Sequence, residues 1–275
     1  MDSPEIESPE IDSPEIDSPN VNIFDNRFMT IYSSTDIMDF YSTPRGAMVA
    51  AHLGAEIQSL WPTAAPQGKI RLGVGVPFAL VPADSLPAVL MPAVLGGVSW
   101  PADAPVRTAV METSLWPVSA ESVDSILMVH ALEYEPDPLA LLSEVSRVLT
   151  GEGRLVLAVA HRRGLWARAE HSPFGHGTPY SRGQLNRLIH AAGLEIIAFK
   201  RGLSVPPFAD KLPSGMMKQM TRFGSPVLHL LGGVLLIEAQ KRRFAARPAL
   251  SAVKRRVAIS AVPKGLKPAF SEQEK

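Results

Sequence analysis

The chain has 275 residues, 46% of them apolar, no formal net charge and no cysteine. It can bury one large core, and it excludes disulfide frameworks, thiolate nucleophiles and thiolate metal sites. The neutrality hides an asymmetry. Residues 1–20 hold seven acids and no base, residues 241–275 hold ten Lys/Arg and two acids, and the middle is nearly neutral, without the basic field of a nucleic-acid enzyme.

Residues 2–21 repeat Asp-Ser-Pro-Glu-Ile with small changes. A proline in every repeat forbids a continuous helix and the acids repel one another, so residues 1–22 read as a disordered tail. The acidic start is not a secretory leader. Residues 28–61 read as a helical lead-in on the sheet edge, with Ser33, Ser34 and Thr35 as capping candidates, Met48, Leu53, Ile57 and Leu60 at helical spacing, and Pro62 as the stop. Lys69–Val74 reads as a strand, and Phe78–Val81 as the start of the next element. Ala88–Met91, Thr108–Met111 and Ser125–Val129 read as further strands. Leu139–Leu149 reads as an amphipathic helix with Leu139, Leu142, Val145 and Leu149 on one stripe, and Gly151-Glu152-Gly153 as its C-terminal turn. Strand Arg154–Ala160, helix Tyr180–Ala192 with Ser181 as cap, and strands Leu194–Lys200 and Gly233–Lys241 follow. This alternation predicts an α/β fold, a Rossmann-like doubly wound seven-stranded sheet, mostly parallel with an antiparallel edge strand. Residues 23–242 form the expected domain and 243–275 a basic flexible tail. The longest apolar runs, Leu86–Val98 and Pro226–Ala239, are too short or too broken by Pro and Gly to span a bilayer, which takes about 20 residues. A cytoplasmic location is expected.

Residues 112–166 carry an ordered set of motifs: Glu112-Thr113-Ser114-Leu115-Trp116-Pro117, Val123-Asp124, His130-Ala131-Leu132-Glu133, and Glu144-Val145-Ser146-Arg147-Val148-Leu149 running on to Gly151-Glu152-Gly153-Arg154-Leu155. This set resembles class I S-adenosylmethionine-dependent methyltransferases of the methyltransferase-11 type. With Phe40-Tyr41, Trp61-Pro62, Met91-Pro92-Ala93, Arg162–Arg168 and Ser172–Leu185, the likeness extends over about residues 36–242 and is close to a bacterial subgroup with an atypical first glycine motif.

The resemblance implies S-adenosylmethionine as cofactor, with Gly73, Gly75 and Pro77 in the first loop, Met91 and Pro92 at the end of the second strand, and Glu112, Thr113 and His130 as its contacts. Glycine allows close backbone approach, whereas Pro77 removes an N–H. The family's carboxylate for the ribose hydroxyls is missing, because the second strand ends Leu90-Met91-Pro92. His130 contacts the cofactor or acts as a base. Glu133 reads as a carboxylate at a helix N-terminus, and Asp124 as structural. His176, Tyr180 and Arg182, in a stiff loop, are the substrate candidates, or else members of a structural network. Arg162, Arg163 and Arg168 read as a solvated face. His161, His171 and His176 lack metal-ligand spacing, so no metal is expected.

Two functions follow: methyl transfer to a small-molecule acceptor, or a catalytically degenerate binding or regulatory protein on the same fold. A nicotinamide dehydrogenase is disfavoured by the missing third glycine. Membranes and nucleic acids are not expected partners, and nothing identifies partners for the two tails.

Overall fold

The computed structural model describes residues 32–61, 69–208 and 232–242. The acidic repeat, the basic tail and Pro62 lie outside them. The lead-in is two helices, α1 (Ser34–Ser42) and α2 (Pro44–Gln58). Ser33 and Asp36 form a reciprocal capping box that starts α1. The extended Thr43 breaks the run, and its side chain caps α2 while Pro44 opens it.

Seven strands follow: β1 (Arg71–Gly75), β2 (Val89–Pro92), β3 (Thr108–Met111), β4 (Val123–Val129), β5 (Leu149–Ala160), β6 (Leu194–Gly202) and β7 (Val234–Lys241). Their order is β3-β2-β1-β4-β5-β7-β6. The first five are mutually parallel, and β7 is antiparallel to both β5 and β6. β7 therefore sits one place in from the edge that β6 occupies. The topology reverses between β1 and β4, the place where open α/β sheets bind ligands.

Each face of the sheet has its own core. Helices α3 (Pro138–Val148) and α4 (Arg182–Ala191) cover one face, burying Leu141, Leu142, Val145, Leu185 and Ile189 against Ile126, Met128, Leu155 and Leu157. The lead-in helices cover the other, setting Ile37, Val49, Leu53 and Ile57 into one cluster with Leu127, Val129, Val156 and Leu236. They thus lie on the sheet's face, not on its edge as expected. Among the described residues, β1, β2 and β3 are joined by short 3-10 turns and loops without an α-helix, so α1 and α2 supply the apolar cover that crossover helices would give.

Two further expectations are corrected. Asp137 caps α3 and Pro138 is its first residue, which turns Leu139 outward to 40% exposure and buries Leu141 and Val148 instead. Gly151 and Gly153 do not form a helix-ending turn. Leu149 already pairs with Val123, and residues 151–153 belong to β5, whose register then shifts so that Arg154 faces Ser125.

The Glu144-x-x-Arg147 pair anchors the chain after β3. Arg147 binds both carboxylate oxygens of Glu144 at 2.8 Å and donates to the carbonyls of Trp116 and Val118, while Glu144 accepts the Trp116 N–H at 3.0 Å. A planar fork is needed for these simultaneous bonds. Arg147→Met is expected to lower unfolding stability by about 1–3 kcal/mol in urea titrations, with Arg147→Lys recovering little of it.

Candidate active site

The loop after β1 is shaped by its own neighbours. Gly75 has φ +81°, and a Cβ there would collide with the Val129 carbonyl. The same carbonyl accepts the Val76 N–H at 2.9 Å. A Cβ on Gly73 would fall 2.8 Å from the Pro77 ring and 2.9 Å from Val89. Residues 73–78 are all buried, and Pro77 opens a three-residue 3-10 turn in place of a long helix. Met91 is fully buried with its sulfur against the Val98 N–H, and Pro92 is buried as the last residue of β2. At the end of β3, Glu112 is exposed and the Thr113 hydroxyl donates to Glu135 at 2.6 Å.

Beyond β4 the chain turns sharply at His130, whose φ is +51°. This left-handed conformation costs a non-glycine residue about 1–3 kcal/mol and is held only by strong surroundings. His130 is completely buried, with Nε2 2.7 Å from the Tyr41 hydroxyl and its ring 4.8 Å from that of Phe174. Its place at the crevice is therefore sealed by α1 and the 172–178 loop, not open as the sequence suggested. Burial holds the imidazole neutral, with a pKa pushed down to about 3, which makes it a poor base near neutral pH.

Glu133 stands at no helix N-terminus, because Asp137 caps α3. It is 3% exposed. Its Oε1 accepts the Ala160 N–H at 3.0 Å, and its backbone carbonyl accepts the Thr178 N–H at 2.7 Å. The carboxylate takes up the ladder group that β5 exposes where β4 turns away. Burial pushes its pKa up to about 7, against the opposing pull of its own N–H and that of Ala160. Among the described residues, Glu133 Oε2 and His130 Nδ1 are buried without a hydrogen-bond partner.

The remaining candidates are dispersed. Tyr180 is buried and donates to the Leu132 carbonyl at 3.1 Å. His176 stacks on Tyr32 with ring centroids 4.2 Å apart, and its Nε2 lies 2.7 Å from the Glu170 carbonyl. The exposed Arg182 lies over the Phe199 ring at 4.5 Å. Asp124 accepts the Ile70 N–H at 2.9 Å. Arg162, Arg163 and Arg168 are exposed. Among the described residues no three His, Cys, Asp or Glu side chains are grouped to hold a metal, and no helix is long and apolar enough to cross a membrane. The sequence reading missed Tyr41, which closes the site together with Phe174 of the stiff loop. The aromatic pair Phe40-Tyr41, inside a helix with an apolar stripe, was the available signal.

Comparisons with known proteins bear on the family. Residues 76–198 match the family model of a methyltransferase domain. No curated protein matches the chain. Among solved structures, it is similar to a SAM-dependent methyltransferase from Thermotoga maritima, with 18% identity over 76% of this chain and 96% of that one and a TM-score of 0.55. It is also similar to the Haloferax volcanii complex between the Trm112 methyltransferase activator and a methyltransferase, with 18% identity over 77% of this chain and 98% of that one and a TM-score of 0.52. These likenesses describe the fold.

The residues present do not fit a nucleoside held on open first-loop glycines and a strand-end carboxylate. Both first-loop glycines are packed against protein, and β2 ends in a buried proline. Gly75→Ala is therefore expected to destabilise the fold by about 2–4 kcal/mol, through the left-handed backbone and the Val129 clash. Chemical denaturation checks this, and an unimpaired stability would mean that the glycine serves a ligand instead.

Glu133 also sets a pH dependence. Its folded pKa of about 7 lies above the ordinary 4.5, so its contribution to stability is full below the ordinary value and is lost as pH rises to about 7. His130, held at about 3 against 6.5, works in the opposite direction and loses stability as pH falls through 6.5. The stability of the wild type relative to Glu133→Gln is expected to fall by about 2–3 kcal/mol between those two carboxyl values, read from urea midpoints across the range.

Proposed function

We propose that this chain transfers a methyl group from S-adenosylmethionine to a small-molecule acceptor. The observation carrying this reading is the methyltransferase-domain match over residues 76–198, which begins just after β1 and spans β2 through β5 and both helices of the α3–α4 face. Methyl transfer asks chiefly for alignment and exclusion of water, so a site without a catalytic triad or metal is compatible with it. The near-neutral middle of the chain agrees with an acceptor that is not a nucleic acid. On this reading α1 and the 172–178 loop must move off the carboxyl edge of the sheet, and groups other than a β2 carboxylate must hold the ribose.

A second reading is a binding protein that keeps the fold without the reaction. The buried first loop and the absent ribose acid favour it. Calorimetric titration with S-adenosylmethionine and its demethylated product separates the two. Binding of both is expected, weakened by the missing charge-assisted bonds and tightened by Pro92→Asp. No heat at millimolar ligand would sink the first reading.

A further inference from the structure

The segment after β4 buries a carboxylate that the fold does not fully use. Glu133 forms no ion pair among the described residues, and only one of its two oxygens has a hydrogen-bond partner. Three phenols are coupled to it. Tyr41 from α1, the adjacent Tyr134 and Tyr180 from the loop after Gly177 all lie within electrostatic reach of the carboxylate, and burial raises each phenol's pKa. None of their hydroxyls serves Oε2: Tyr41 is paired with His130, Tyr134 donates to the Pro173 carbonyl and Tyr180 to the Leu132 carbonyl. Neutral His130, three residues earlier, has its Nδ1 unpartnered among the described residues, and its ring packs on Phe174.

A desolvated carboxylate with an unpartnered oxygen matches one ligand chemistry, an organic cation, which can supply both the missing charge and the missing donor. We propose that Glu133 receives the ammonium group of an amine methyl acceptor at its unpartnered oxygen. This rests on the methyltransferase reading for what happens next, but not for the binding itself. Before transfer, one ammonium N–H bond breaks and its proton passes to Glu133 Oε2. The nitrogen keeps the electron pair that methylation consumes, and ion pair becomes neutral amine and neutral carboxyl. Burial already brings the carboxyl into the range where a general base works near neutral pH. Access requires release of the Tyr41–His130 and Tyr134–Pro173 bonds, which tie α1 and the loop to the sheet.

The test is isothermal titration of the full chain near neutral pH with benzylamine, benzyltrimethylammonium and benzyl alcohol, in two buffers of different ionisation enthalpy. Both cations are expected to bind at least about tenfold more tightly than the alcohol, and to expel up to about one proton per ligand as the carboxyl ionises. Glu133→Gln should bring all three ligands to the alcohol's level and abolish proton release. Equal affinities, or cation binding without proton release, would overturn the proposal from the wild-type chain alone, whatever the variant's folding. Glu133→Gln that weakens S-adenosylmethionine but neither its demethylated product nor benzylamine would place a sulfonium there and overturn it also. Cation binding without any S-adenosylmethionine binding keeps the site and removes the methyltransferase reading. The converse keeps the reading and removes the site.

Discussion

The carbonyl of Val129 is where the two halves of the sheet are locked together. It ends β4, accepts the Val76 N–H, and occupies the space that any side chain at position 75 would need. A buried carbonyl has to be satisfied, and here the partner is the loop that in this fold class faces ligand. Once Val76 is bound there, Pro77 follows over Gly73, Phe78 enters the apolar layer beneath α2, and His130 must leave the strand in a left-handed turn. Chain reversal, glycine usage and the sealed histidine are consequences of one seat.

That seat also explains why polar groups are stranded just beyond it. When β4 turns away at His130, the Ala160 N–H of β5 loses the strand that would have paired it, and the Glu133 side chain takes the strand's place. A carboxylate is an expensive substitute for a backbone carbonyl, since it brings a second oxygen and a charge with it. Burial excludes water from it without supplying a countercharge. A protein needing only the ladder bond would be served by Gln at this position, so the acid marks a place where stability is not the sole requirement.

Much of the architecture was legible because buried strands write themselves as apolar runs. Thr108–Met111 was read to the residue, and the neighbouring strands to within one or two. The phase of α3 was not, because the stripe was counted from Leu139, whereas the cap at Asp137 and the proline after it set the rotation. Glu133 was misplaced for the same reason: recognising Asp137-Pro138 as the helix start leaves Glu133 four residues outside it. The burial of the first loop was illegible in principle. Gly-x-Gly reads the same whether the nearby atom belongs to a ligand or to Val129, and only the fold distinguishes them. The role of Tyr41 was likewise hidden, since an amphipathic lead-in says which residues are apolar but not which strand end they meet, 89 residues away in the chain.

The pairing of caps around α1 has a mechanical consequence. Ser33 closes one end with a capping box, and the Thr43 N–H closes the other on the Phe40 carbonyl, while the Thr43 hydroxyl donates to that same carbonyl and accepts the Gly46 N–H of α2. Nine residues are too few to hold a helix once the contacts that bury one face are lost. Thr43 is a tie between the helices, and swinging α1 off the sheet while α2 stays seated would strain its bonds to Phe40 and Gly46. Opening the molecule thus spends helical order as well as contacts.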